Sequence, residues 1–166
     1  MIKPISIPIK QTLWQIPALI FLSALIALGV NHWRADGIVL IGDWSVETRF
    51  ADSAGESLVV ALDEAAALFE QDAVVFLDAR PPDQYAVGHI GGALNLPWQA
   101  VDHYFAETAD RLEGAPFIIT YCDGESCDLS HELALFLMEM GFENVRVLVN
   151  GWSLWQDAGL PTAVEG

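Results

Sequence analysis

Two thiols are present in this chain, five residues apart, in the segment Tyr121-Cys122-Asp123-Gly124-Glu125-Ser126-Cys127. The apolar run Phe117-Ile118-Ile119-Thr120 precedes the segment, and a helical pattern from Leu129 to Met140 follows it. Cys122 is thus placed where a strand ends and a helix begins. Loop amides and the positive end of a helix dipole stabilise a thiolate over a thiol there, so Cys122 is the candidate nucleophile. The residues Asp123, Gly124, Glu125, Ser126 and Cys127 form the expected substrate-binding loop. Their backbone amides, curled into an anion-binding nest, would cradle a negatively charged sulfur, and Gly124 would permit the curl. Asp123 and Glu125 oppose this by raising the cysteine pKa. Both are expected to face water, where screening weakens them, because inward they would be unpaired buried charges.

Cys127 admits two readings. It can close a disulfide with Cys122, or act as a resolving thiol for it. Alternatively it is a small helix-start residue without a partner, since so tight a loop can fail disulfide geometry. Other chemistries lack their residues. A Cys-x5-Arg phosphatase needs arginine at position 128, which is Asp128. His131-Glu132 lacks the second histidine of a zinc motif, because position 135 is leucine, and it reads as a helix surface pair. His32 and His103 have no ligand spacing to each other, and the Cys-x4-Cys spacing differs from the Cys-x-x-Cys of thioredoxin-like proteins. No metal and no cofactor are expected.

Charge divides the chain sharply. Lys3, Lys10 and Arg34 are the only charged side chains before Asp36, whereas all 23 acids lie from Asp36 onward with only Arg49, Arg80, Arg111 and Arg146 to oppose them. So acidic a surface repels phosphate backbones, which excludes nucleic acid as a partner. Residues 13–30 contain no charge, and as a helix they span about 27 Å, close to a hydrocarbon core of roughly 30 Å. Trp14 and Trp33 flank the stretch as interfacial rings, and Pro17 falls in its first turn. The expectation is a single-pass inner-membrane anchor. Two lysines before it and one arginine after it put the soluble part on the extracytoplasmic, periplasmic side. A removable signal peptide, cleaved near Ala27-Leu28-Gly29, is the competing reading.

Three regions follow: tail and anchor over 1–33, a linker over 34–57 with one short hydrophobic plug, and a domain over 58–166. Within the domain, strands are expected at 58–61, 74–77, 93–96, 117–121 and 145–149. Helices are expected at 62–70, 83–87, 98–112 and 128–140, with a short one around Trp152 and Trp155. This alternation is that of an α/β domain with a parallel sheet covered on both faces. A site then lies outside a strand's carboxyl end.

The elements Asp78-Ala79-Arg80, Tyr85, Gly88-His89-Ile90-Gly91-Gly92-Ala93 and Asn95-Leu96-Pro97, with Tyr121-Cys122 and Val149-Asn150-Gly151-Trp152 after them, resemble a rhodanese domain over roughly residues 58–161. The resemblance implies a five-stranded parallel sheet between helices and transfer of sulfane sulfur through a cysteine persulfide, with Cys122 as nucleophile. The partners it implies are a small sulfur-containing donor and a thiol acceptor, either small or on a protein. Two departures stand out: the loop carries Asp123 and Glu125 where the family often has a basic residue, and Gly91 stands where proline is common. The first argues against thiosulfate as donor. Asp78, Arg80 and His89 are read as structural, with the carboxylate accepting loop amides and the arginine tying turns through its planar fork. Trp98, Trp152 and Trp155 are read as packing. The expected function is a membrane-tethered sulfurtransferase. The alternative is a non-enzymatic binding or redox-sensing module that uses the Cys122/Cys127 pair.

Overall fold

A computed structural model of the protein describes residues 9–34, 37, 38, 40, 42, 45–124 and 127–165, with side chains from Trp14 onward. The chain divides into two compact units, Met1–Asp43 and Trp44–Gly166. In the first, helix α1 (Ile9–Trp33) begins earlier and ends later than the uncharged stretch alone predicts. Its segment Trp14–Trp33 has mean hydropathy 1.7, and its side chains lie exposed, so the helix is long and apolar enough to cross a membrane.

In the second unit, four strands form a parallel sheet in the order β3-β1-β4-β5: β1 (Val74–Asp78), β3 (Leu94–Asn95), β4 (Phe117–Tyr121) and β5 (Val145–Leu148). The fifth expected strand, 58–61, is reduced to one parallel bridge, Val59 to Val147. Two hydrogen bonds hold it, Val60 N–H to Val147 O at 3.0 Å and Val147 N–H to Leu58 O at 2.8 Å. The position at the sheet edge is therefore filled, but its ladder is one residue long.

Alternation of side chains along buried strands builds two cores, one on each face. Leu77, Ile118 and Val147 point to one side, where they meet Leu112 of helix α5 (Val101–Leu112) and Leu133 and Leu137 of helix α6 (Leu129–Glu139). Their neighbours Phe76, Ile119 and Leu148 point to the other. There they meet Ala65 of α3 (Leu62–Glu70), Tyr85 of α4 (Pro82–Val87) and Trp155 of α7 (Gly151–Asp157). A three-layer α/β architecture results. The helix expected over 98–112 begins with one 3-10 turn, Trp98–Ala100.

Two features depart from the expectations. His89–Ile90 (β2), read as a turn, pairs antiparallel with Thr162–Ala163 (β6) near the C-terminus. Pairs two residues long leave no periodic signal, and tertiary contact alone creates them. The second departure is the expected linker, of which residues 45–57 fold onto the domain. Ser45 starts a single helical turn, α2 (Val46–Arg49), and Phe50, which the sequence alone does not single out, is fully buried in the core beneath α6. A bridge joins Ala51 to Ser57, and the Asp52 carboxylate accepts the amides of Ala54 and Glu56. His131 is likewise not a free surface residue. Its Nε2 lies 2.9 Å from the Ala51 carbonyl and its ring meets Phe50 edge-on, so it anchors this strap to α6.

Close approach governs the turn before α7. A Cβ on Gly151 would lie 2.7 Å from Tyr121 Cβ and 3.1 Å from Leu148 Cγ. Gly151→Ala therefore forces apart β4, β5 and α7, with an expected loss of about 1–3 kcal/mol in a denaturant titration. An unchanged midpoint would show that the contact relaxes freely.

Candidate active site

Strand β4 is central in the sheet, and Cys122 is the first residue beyond its carboxyl end. Asp123 and Gly124 begin the loop, and Cys127 and Asp128 lead into α6; the candidate loop residues Glu125 and Ser126 lie outside the described residues. Cys122 and Cys127 are joined as a disulfide, with their Cα atoms 6.5 Å apart, inside the range that such a bond spans. Of the two readings of Cys127, the structure holds the paired one. Cys122 has no exposed surface and belongs to the core on the α5/α6 face, whereas Cys127 is half-buried. Solvent thus meets the bond from the Cys127 side.

The expected ring of amides is only partly free to serve the sulfur. Gly124, at φ +88°, allows the loop to curl, but its N–H is given to Asn150 Oδ1 at 2.8 Å, and the Cys127 N–H is given to Gly124 O at 3.1 Å. What does face Cys122 Sγ is Ser130 Oγ at 3.3 Å and the Cys127 carbonyl oxygen, also at 3.3 Å. A disulfide sulfur carries no proton, so the Ser130 hydroxyl is the donor. Ser130 is itself fully buried, and Thr120 Oγ1 donates to its carbonyl at 2.8 Å.

Sequence reasoning passed over Ser130 and Asn150. Ser130 did leave a signal, being a hydroxyl three and four residues before Leu133 and Ala134, on the buried face of an otherwise apolar helix. Asn150 was read only as a turn residue. At φ 52° it occupies the left-handed region that asparagine tolerates, and from there its side chain reaches across to cap the cysteine loop.

Of the two loop acids, Asp123 is the one among the described residues, and it faces outward, as does Asp128 after the loop. Asp123 is exposed and accepts from Ser153 Oγ at 2.6 Å, and Asp128 pairs with Arg49 of the strap at 2.6 Å. Because both members of the second pair are exposed, it contributes at most about 1 kcal/mol.

Asp78 and Arg80 stand beside the site as a buried pair with 2.6 Å between Nη2 and Oδ2. The Arg80 Nε and backbone N–H also donate to Asp78, and Nη2 donates to Gly88 O. Its guanidinium lies 4.9 Å from the Trp152 ring centroid and 5.9 Å from that of Tyr121. Desolvation acts to lower the Arg80 pKa, but the hydrogen bonds and negative charge of Asp78 outweigh it and hold the value above its ordinary one. Burial foremost, with the Asp78 charge behind it, keeps the Tyr121 phenol protonated far above the usual tyrosine range. That phenol accepts the Ile90 N–H at 3.1 Å. His89 stacks on the Tyr85 ring, with Nδ1 2.9 Å from the Tyr85 carbonyl, so Nδ1 carries the proton. Trp155 is fully buried and donates to Pro161 O, while Trp98 meets Phe136 edge-on.

A groove of about 310 Å³ runs alongside, bordered by Arg80, Asp83, Gly88, Asp123 and Trp152. Among the described residues no cluster of three or more His, Cys, Asp or Glu side chains is arranged to hold a metal ion. What the described residues offer is a disulfide-bonded sulfur pair at a strand end, with the Ser130 hydroxyl against it and the exposed acids Asp123 and Asp128 beside it.

Comparison with known proteins gives this arrangement a context. The family profile described as Rhodanese-like domain matches residues 61–158, well over half of the chain. A thiosulfate sulfurtransferase GlpE of Pseudomonas fluorescens is 36% identical over 104 residues, covering 63% of this chain and 89% of the relative. An HTH-type transcriptional regulator of Mycobacterium tuberculosis is 37% identical over 95 residues, 55% of this chain, which spans only 38% of that regulator's length. Among solved structures, the rhodanese-like domain of an Anabaena protein superposes with TM-score 0.55 at 25% identity, covering 65% of this chain and 80% of that one.

Proposed function

Because the chain belongs to the rhodanese-like domain family, we propose that it carries sulfane sulfur as a persulfide on Cys122, between a small sulfur donor and a thiol acceptor. Family membership and relatives named thiosulfate sulfurtransferase support a sulfurtransferase-type function. The observation that carries the finer reading is the position of Cys122 directly after the central strand, bonded to the half-exposed Cys127.

The cycle starts from the disulfide. A reducing thiolate attacks the accessible Cys127 Sγ and expels Cys122 as thiolate, the better leaving group when its pKa is low. A second thiolate attacks the reductant's sulfur in that mixed disulfide, which releases Cys127 and the oxidised reductant. Cys122 then attacks the outer sulfur of a donor, the donor's inner sulfur leaves as thiolate, and a persulfide remains on Cys122. An acceptor thiolate can take the terminal sulfur and return Cys122 as thiolate. Alternatively Cys127 attacks Cys122 Sγ, hydrosulfide leaves, and the disulfide forms again, with Cys127 as resolving thiol. The substrate-binding loop assigned to this exchange is Asp123, Gly124, Glu125, Ser126 and Cys127. Outward-facing Asp123 and the absence of a basic side chain in the loop favour polysulfide or persulfide donors over thiosulfate, a dianion.

Helix α1 tethers the domain to the inner membrane as a single pass, through residues 13–30. Lys3 and Lys10 before the uncharged stretch favour the periplasmic side for the domain; digestion of the domain by protease in right-side-out vesicles, or its protection, decides this. The reaction itself is tested by reducing the full-length protein, incubating it with polysulfide and recording intact mass and peptide maps. One or more sulfur atoms should appear on Cys122. Their absence from reduced, folded protein would leave the second reading, a redox-sensing module without transfer, which the disulfide itself favours.

A further inference from the structure

We propose that Ser130 is the hydroxyl donor that holds the reduced Cys122 as a thiolate, a role that rests on Cys122 being the nucleophile. Three observations converge on it. The Ser130 hydroxyl is fully buried and 3.3 Å from Cys122 Sγ. The Gly124 and Cys127 amides, which a nest would aim at the sulfur, are spent on Asn150 and on Gly124 O. Among the described residues the other polar atom on Sγ is the Cys127 carbonyl oxygen, which can only accept and therefore favours the thiol. A proton donor is needed to reverse that preference, and Ser130 stands in the place for it.

Among the described residues the charged groups around the sulfur do not supply the stabilisation. Next to Cys122, Asp123 is turned to Ser153 of α7; Asp78 and Arg80 beyond β1 neutralise each other; Asp128 before α6 is paired with Arg49; and His131 on α6 is turned to Ala51. The hydroxyl's position is set by the fold, since α6 carries it on its buried face and Thr120 of β4 holds its carbonyl. A hydroxyl bonded to a buried anion is a charge-assisted bond, stronger than a neutral one.

The experiment uses the full-length chain in detergent on a Cys127→Ser background, which leaves Cys122 as the only thiol. The pH dependence of alkylation by iodoacetamide, with ultraviolet thiolate absorbance beside it, gives the Cys122 pKa. Ser130→Ala should raise that pKa by about one unit, which slows alkylation about tenfold at a pH below the parent's pKa while the rate at alkaline pH is kept. Ser130→Thr should restore the profile. An unchanged profile in Ser130→Ala of native circular dichroism overturns the proposal, as does failure of Thr to rescue. If the alanine variant does not fold, Ser130→Gly is read in the same way. Sulfur loading is followed separately in protein with serine at position 130: no persulfide but a shifted pKa refutes the transfer reading alone, and a persulfide with an unshifted pKa refutes only the role of Ser130.

Discussion

Cys122→Ser should abolish sulfur uptake and depress transfer from a polysulfide donor at least about a thousandfold, because an oxygen nucleophile at this position can neither form a persulfide nor leave as readily. The fall should be in turnover rather than donor affinity, since the Cys122 side chain has no exposed surface in the disulfide form and contributes little area for binding. Cys127→Ser makes the informative contrast. It removes the disulfide and the intramolecular route to sulfide, yet leaves Cys122 able to receive a sulfur and hand it to an external thiol. Rates of sulfide release and of persulfide transfer, measured side by side in the two variants, separate the routes. A Cys122→Ser protein that still transferred sulfur would remove Cys122 from the chemistry altogether.

Breaking the buried pair beside the site is the other large effect. Arg80→Ala leaves the Asp78 carboxylate, which has no exposed surface, without its fork of donors, and frees the Gly88 carbonyl as well. Removing one member of such a pair costs about 3–5 kcal/mol, because the other charge stays buried and uncompensated. For a domain of this size a melting midpoint lower by roughly 10–20 °C is expected. Asp78→Asn should act in the same direction. An Arg80→Ala protein that melts normally but transfers no sulfur would instead make Arg80 part of the reaction, a result that its position on the groove wall, against Trp152, makes worth testing.

Much of this frame was legible because continuous apolar runs carry their own meaning. Val74–Leu77 and Phe117–Tyr121 could only be strands buried on both faces, and the helix Leu62–Glu70 appears with its expected bounds because its apolar residues recur at helical spacing. A short apolar plug in the linker was legible, but neither its identity as Phe50 nor the strap around it was. Its contacts to α6 join residues about eighty positions apart, and no local pattern encodes them. For the same reason β2 and β6 went unseen.

At the site the division follows the same physics. A strand end, a cysteine and a helix start are adjacent in the chain, so the amino-acid order alone determined where the candidate sulfur sits and that Asp123 would follow it. Which atoms touch that sulfur was decided by tertiary structure. The hydroxyl that reaches it comes from the first turn of α6, and the amide expected to face it is claimed by Asn150 from beyond β5. Hydrogen bonds are directional and short, so a partner is chosen by how elements pack to within a fraction of an ångström. Hydrophobic burial tolerates more displacement, which is why the cores could be foreseen and the ligands of the sulfur could not.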